Sequence, residues 1–191
     1  MAVPHVRARS VLDFMAYLRK TRPGLVESIF ERMPQESQRA LTDAVPTSWL
    51  SIEHSRLWVA DFVREVGATD AQELAADFTH HWILRSPVLK ALVQSMIRLK
   101  GIGPESVIRV LPRALHMSYR DFFNAKVVEL QDNHALVVLE DLAPELLATP
   151  QYFALFTGGF EGALRFVRRA GLVAVTIDRT RRLARYSLSW K

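Results

Sequence analysis

The chain has 191 residues, 49% of them hydrophobic and 24% charged, a balance that suits a folded domain and excludes a disordered chain. It contains no cysteine, which excludes disulfides, thiolate metal sites and cysteine nucleophiles and leads us to expect a reducing, cytoplasmic compartment. The formal net charge is +5, and the basic residues concentrate after residue 160. No apolar run approaches the ~20 residues that span a bilayer, so membrane insertion is not expected.

The first third of the chain is predicted to be helical. A helix that Ser10 caps and Pro23 ends is followed by two shorter helices, the second of which Pro34 opens. Residues 46–52 are interpreted as a connection. The next helix stops at Gly67.

Three further helices follow. The first buries an apolar stripe that includes Trp82, and the second covers residues 87–99. The third runs from Pro104 to about Phe123. A kink or break is expected in it because Pro112 lies inside the helix and cannot donate a backbone hydrogen bond.

The last third changes to the alternation typical of strands. Two hairpins are predicted, one around residues 131–133 and one over residues 172–190, with a helix over residues 152–170 between them. The order helices-ββ-α-ββ predicts an α+β fold, in which a helical N-terminal two-thirds packs on one face of a four-stranded antiparallel sheet. We expect one domain over residues 1–191, in which residues 1–66 form a helical subregion and residues 67–191 add the sheet.

Four segments carry a family resemblance: Tyr119-Arg120-Asp121-Phe122, the first hairpin, the glycine-rich residues 158–164 and the closing residues 184–190. Together they resemble an uncharacterised myxobacterial paralogous family of about this length. More distantly, the chain resembles the ligand-binding superfamily of haem-based nitric oxide sensors, four-vinyl-reductase-type sensor domains and Bet3-type trafficking subunits. The resemblance implies a fold that can enclose an apolar ligand, and it implies no reaction.

Two departures from the superfamily bear on cofactors. The haem sensors hold the propionates with Tyr-x-Ser-x-Arg, whereas the nearest segment here has Leu188 and Trp190 in place of the Ser and the Arg that should follow Tyr186. The vinyl-reductase-type sensors often carry a cysteine cluster, and this chain has no cysteine. Haem and metal are both disfavoured, and no cofactor is expected.

Five residues are predicted to contact a ligand: Trp82, His116, Tyr119, Arg120 and Phe122. Three of them, His116, Tyr119 and Arg120, fall within two turns of one predicted helix. There they could anchor an anionic head group at the end of an apolar pocket. The alternative interpretation is that Arg120 pairs with a carboxylate while Tyr119 caps the core.

Other constellations have simpler interpretations. Asp77 and His81 share a helix face but have no third metal ligand nearby, so a hydrogen-bonded histidine is preferred to a metal site. The glycines at 158, 159 and 162 do not match a dinucleotide-binding spacing and indicate close packing of a helix. No catalytic set stands out, so an enzyme is not expected.

The arginines of the last hairpin, Arg179, Arg181 and Arg182, are predicted to contact a partner. A protein partner is favoured over nucleic acid because no nucleic-acid-binding motif accompanies them, and a solvated face is the remaining alternative. A homodimer is compatible with the sequence. The first functional hypothesis is a sensory or regulatory module that holds a small, largely apolar ligand and acts through protein partners; the alternative is an interaction or scaffold subunit without a ligand.

Overall fold

The computed structural model describes residues 3–85 and 103–191. Its helices are α1 (Ala8–Thr21), α2 (Leu25–Arg32), α3 (Gln35–Thr42), α4 (Ile52–Val66), α5 (Ala68–Arg85), α6 (Pro104–Ser118), α7 (Pro144–Ala148) and α8 (Gln151–Phe166). Its strands are β1 (His5–Arg7), β2 (Trp49–Ser51), β3 (Tyr119–Arg120), β4 (Asn124–Gln131), β5 (His134–Glu140), β6 (Gly171–Asp178) and β7 (Leu183–Trp190). The predicted helix over residues 87–99 lies outside the described residues.

The N-terminal helices form where the sequence predicted them. Each has an apolar face turned to the core, as α1 does with Phe14, Met15 and Leu18. Helix α4, expected to begin at His54 or Ser55, begins at Ile52 because Ser51 supplies the cap. Its hydroxyl accepts a hydrogen bond from the backbone N–H of Glu53 at 3.3 Å.

A small sheet of order β2-β1-β3 corrects two sequence predictions. Residues 46–52 contain a strand, since Leu50 pairs with Val6. The helix expected to reach Phe123 ends at Ser118, because Tyr119 has extended dihedral angles and pairs with Val6 on the other edge of β1. Helix α6 continues through Pro112 without a break.

The larger sheet confirms the predicted four antiparallel strands, in the order β4-β5-β7-β6. Strand β7 alternates as expected, with Ala184, Tyr186, Leu188 and Trp190 buried and Arg185 exposed. Helix α8 contacts β6 and β7, and α6 contacts β4. The fold is therefore α+β, and one hydrophobic cluster extends from α1 to β7.

Helices α5 and α8 pack at very short distance. A Cβ added to Gly158 would lie 2.1 Å from the carbonyl oxygen of Gln72, and one added to Gly162 would lie 2.3 Å from that of Ala76. We call this contact the glycine seam. It confirms that these glycines serve close packing, since no side chain fits between the two backbones.

Among the described residues, no helix is both long and apolar enough to cross a membrane.

Candidate functional site

A cavity of about 200 Å³ lies between the helices. Residues of α1, α4, α5, α6 and α8 line it, together with Val6 of β1 and Tyr119 of β3. We call it the central cavity. Its volume exceeds the ~150 Å³ of an engineered apolar cavity that binds benzene, so it can hold a molecule of roughly one or two rings.

One wall of the central cavity is aromatic. Phe14 contributes from α1, Trp58 from α4, and Phe78 and Trp82 from α5. The Phe14 ring centroid lies 5.7 Å from that of Trp58 and 5.0 Å from that of Phe78. These edge and tilted contacts are the favourable geometries for aromatic pairs, so the wall is a packed, fixed surface.

Helix α8 contributes two small residues to the lining, beside larger ones such as Phe156 and Phe160. Gly159 and Ala163 both line the cavity. A Cβ added to Gly159 would have Thr79 Oγ1, at 3.7 Å, as its nearest neighbour. Helix α8 therefore leaves room on this face although it leaves none at the glycine seam one residue away.

A buried pair of hydroxyls, those of Ser55 and Tyr152, supplies part of the polar lining. Their oxygens lie 2.8 Å apart, and the Ser55 hydroxyl also approaches the carbonyl oxygen of Ile52 at 3.3 Å. If Ser55 donates to Ile52, then Tyr152 donates to Ser55, and both hydroxyl protons are used. Burial raises the pKa of Tyr152 although the hydrogen bond to Ser55 acts in the opposite direction.

Tyr119 supplies a polar group of a different kind. Tyr119 is half-buried and lines the cavity. Its ring packs against Phe122 at 5.0 Å and against Phe156 at 5.2 Å. Burial alone raises its pKa well above the ordinary value, so the phenol stays protonated. No described residue accepts a hydrogen bond from this hydroxyl.

Two more buried polar atoms near the cavity have no partner among the described residues. They are Nε1 of Trp58, a residue only 1% exposed, and the hydroxyl of Tyr186. Trp58 lines the cavity, whereas Tyr186 is not among the described lining residues. The cavity is the candidate site because its lining combines many apolar side chains with a few hydroxyl groups.

Two of the five predicted ligand contacts, Trp82 and Tyr119, line the central cavity. Trp82 Nε1 donates to the Asp13 carboxylate at 3.1 Å, which fixes the indole from outside the cavity. Phe122 is fully buried behind Tyr119 and is not among the described lining residues.

His116 and Arg120 lie away from the cavity. His116 is exposed, and its Nε2 accepts a hydrogen bond from the Ala125 backbone N–H at 3.3 Å. Arg120 lies on the opposite side of β3 from Tyr119, since neighbouring strand residues point to opposite faces. Its guanidinium is 5.6 Å from the ring centroid of Trp49, and that of Arg7 is 4.2 Å from the same centroid. The expected helix face joining His116, Tyr119 and Arg120 does not exist, because α6 has ended before Tyr119.

The three predicted partner-contacting arginines differ in their surroundings. Arg182 Nε donates to the carbonyl oxygen of Leu142 at 2.8 Å, so this side chain ties the hairpin to the chain after β5. Arg181 is exposed and lies 3.8 Å from the Asp178 carboxylate. Arg179 is exposed.

The carboxylate of Asp77 forms an ion pair with Arg165. Arg165 lies 2.9 Å from Asp77 and also contacts Glu73 at 2.6 Å. His81 Nδ1 is 2.9 Å from the backbone oxygen of Asp77. No group of three metal-binding side chains occurs among the described residues.

Sequence reasoning missed the Ser55–Tyr152 pair and the role of Gly159. A signal for the first exists in α4, where Ser55 precedes Trp58, Val59 and Phe62 on the same apolar stripe. A serine on such a stripe needs a buried partner. No feature of the sequence distinguishes Gly159 from Gly158 and Gly162, because all three fit the pattern of a glycine-rich helix that packs closely.

Solved structures of H-NOX domains share this fold. The H-NOX protein of K. algicida matches with a TM-score of 0.66 at 9% identity, over 97% of this chain and 96% of that chain. An oxygen-binding H-NOX domain related to soluble guanylate cyclases gives 0.64 at 11% identity, over 97% and 95%. A mutant of T. tengcongensis H-NOX gives 0.62 at 11% identity, over 97% of both chains. No protein-family model and no curated protein matches the sequence.

The central cavity does not fit haem. All six histidines of the chain lie among the described residues, and none of them lines it; the chain has no cysteine. Tyr119 and Tyr152 are the phenols in the described lining, and burial holds both in the protonated form, which is a poor iron ligand. The described lining also contains no Arg or Lys that could pair with propionates. The fold is that of the H-NOX domains, but these residues do not provide a haem site.

Proposed function

We propose that this protein is a haem-free sensory or regulatory module that holds a small, largely apolar ligand in the central cavity and acts through a protein partner. The observation that carries the proposal is a cavity of about 200 Å³ in which aromatic and aliphatic residues surround a few polar atoms. A void of this size costs stability, since the loss is roughly 24 cal/mol per Å³. A ligand that fills the cavity offsets that cost.

The H-NOX likeness supports the proposal as an analogy of fold. One of the matched proteins is an oxygen-binding domain related to soluble guanylate cyclases, and in this chain the corresponding interior is shaped for an organic molecule instead. Binding of such a molecule would shift the conformational equilibrium only by its differential affinity for two states of the protein. We place the polar contacts of the ligand at Tyr119 and its apolar contacts at Trp82. The exposed arginines Arg179 and Arg181 are the residues proposed for the partner.

Native mass spectrometry of the purified protein, compared with its denatured mass, tests the proposal. We expect a reproducible extra mass that disappears on denaturation. Ala114→Leu is expected to abolish that extra mass because Ala114 lines the cavity, whereas Ala16→Leu, the same change at an exposed position of α1, should leave it intact.

A bare mass in the wild type, together with no thermal stabilisation by benzene or toluene, would contradict the ligand-binding proposal. The chain would then be better described as an interaction subunit without a small ligand. In that case the Ala114→Leu variant should be more stable than the wild type, since it fills an empty void.

A further inference from the structure

The chemistry of the ligand can be narrowed, on the premise that the central cavity binds one. We propose that the ligand is a neutral molecule with an apolar body and one hydrogen-bond acceptor, such as a ketone, aldehyde or ester carbonyl, and that the hydroxyl of Tyr119 donates to that acceptor.

The lining decides the charge of the ligand. Among the described residues that line the cavity there is no Lys, Arg, His, Asp or Glu. An ionised carboxylate, phosphate or ammonium placed there would lose its hydration without gaining a counter-charge, at a cost of several kcal/mol. Fatty-acid carboxylates and phosphorylated ligands are therefore poor occupants of this cavity.

The hydrogen bonds already made by the cavity wall bear on which polar group the ligand carries. The Ser55–Tyr152 pair satisfies its own protons through Ile52. Tyr119 lines the cavity, and no described residue accepts a hydrogen bond from its hydroxyl, which can donate one. A ligand acceptor placed against Tyr119 would take up that unused donor.

The protonation state of Tyr119 supports the same assignment. Burial raises the pKa of its phenol, and no charged group opposes that shift. The hydroxyl therefore remains a donor at every physiological pH, and ligand affinity through this contact is expected to be independent of pH in that range.

A pair of isosteric probes tests the inference: acetophenone, which presents a carbonyl oxygen, and α-methylstyrene, which presents a CH₂ group at the same place. Affinity is measured by calorimetry or thermal shift for the wild type and for Tyr119→Phe. We expect acetophenone to bind the variant roughly 3- to 10-fold more weakly than the wild type, the size of one net hydrogen bond. α-Methylstyrene should bind both proteins within about twofold.

Tyr17→Phe is the matched control, because the Tyr17 ring contacts Phe14 and Phe78 but is not among the described lining residues. It should leave the affinities of both probes unchanged. Circular dichroism and the midpoint of thermal unfolding check that each variant folds.

The outcomes separate the two proposals. Binding of neither probe to the wild type would overturn the ligand-binding function and the assignment of Tyr119 with it. If both probes bind and Tyr119→Phe weakens both equally or neither, the cavity proposal stands and the donor role of Tyr119 is wrong. A water molecule bound to Tyr119 in place of a ligand acceptor would produce the second pattern with no change for either probe.

Discussion

Helix α8 carries glycines on two neighbouring faces, and the space around these glycines differs between the two faces. At the glycine seam, Gly158 and Gly162 let the backbone of α8 touch that of α5, and any Cβ there would overlap a carbonyl oxygen. On the neighbouring face, Gly159 and Ala163 border the central cavity, where a Cβ on Gly159 has room. The first face leaves no room for a side chain, whereas the second borders the cavity and has room for one.

The comparison teaches that the cavity is not a packing fault. Helices α5 and α8 are locked at a fixed distance by the seam, so they cannot close together to fill the void beside it. The seam therefore fixes the spacing of two helices that line the cavity.

Breaking the seam gives the largest expected effect. Gly158→Ala places a methyl 2.1 Å from the Gln72 carbonyl oxygen, which forces the two helices apart. We expect a destabilisation of roughly 3 kcal/mol or more in the free energy of unfolding, measured with urea. The matched change Gly159→Ala meets nothing closer than 3.7 Å and should stabilise the protein by roughly 0.5–1 kcal/mol through helix propensity. Equal effects at the two positions would refute the distinction between the faces.

A smaller effect is expected inside the cavity. Tyr152→Phe removes one partner of the Ser55 hydroxyl, which is only 1% exposed, and should cost about 1 kcal/mol of unfolding free energy. Ser55→Ala should cost a similar amount. The double variant should cost less than the sum of the two single variants, since the pair forms one interaction. Additive losses in urea unfolding would show that the two hydroxyls act independently.

The smallest effect is expected at the ion pair between Glu73 of α5 and Arg165 of α8. The hydrogen bond from Arg165 lowers the pKa of Glu73, so this carboxylate favours the folded state at neutral pH, and the contribution is lost as pH falls through the lowered value. Because the Glu73 side chain is 58% exposed, Glu73→Gln should cost less than about 1 kcal/mol. The difference between variant and wild type should shrink as pH falls below about 4.5, the ordinary value. A difference that persists in acid would mean the contact is not electrostatic.

The sequence predicted the larger features because their periodicities are strong. The alternation in β7 and the apolar stripes of α1 and α4 each depend on residues close together in the chain, and the structure confirms all three. The small sheet escaped prediction because β1 and β3 have three and two residues, too few to show a period. Tyr119 is extended only because Val6, more than a hundred positions earlier, pairs with it.

The candidate site was also predicted only in part, because it depends on residues distant in the chain. Trp82 and Tyr119 were predicted as ligand contacts and line the cavity, although the helix face used to group Tyr119 with His116 is absent. Arg120 was expected beside Tyr119 and instead lies near Trp49, because a strand separates neighbours that a helix would have kept together. The apolar character of Trp82 and Tyr119 was predictable from the sequence, whereas the spatial neighbours of Tyr119 and Arg120 depend on a strand pairing that it does not show.

The volume of the central cavity also affects how the protein responds to compression. Two hundred cubic ångströms per molecule amounts to roughly 120 mL per mole, and unfolding abolishes that space. The native state should accordingly yield to hydrostatic pressure more readily than a solidly packed domain of the same length. An occupant that fills the void would remove most of that susceptibility without altering a single contact on the outside of the molecule.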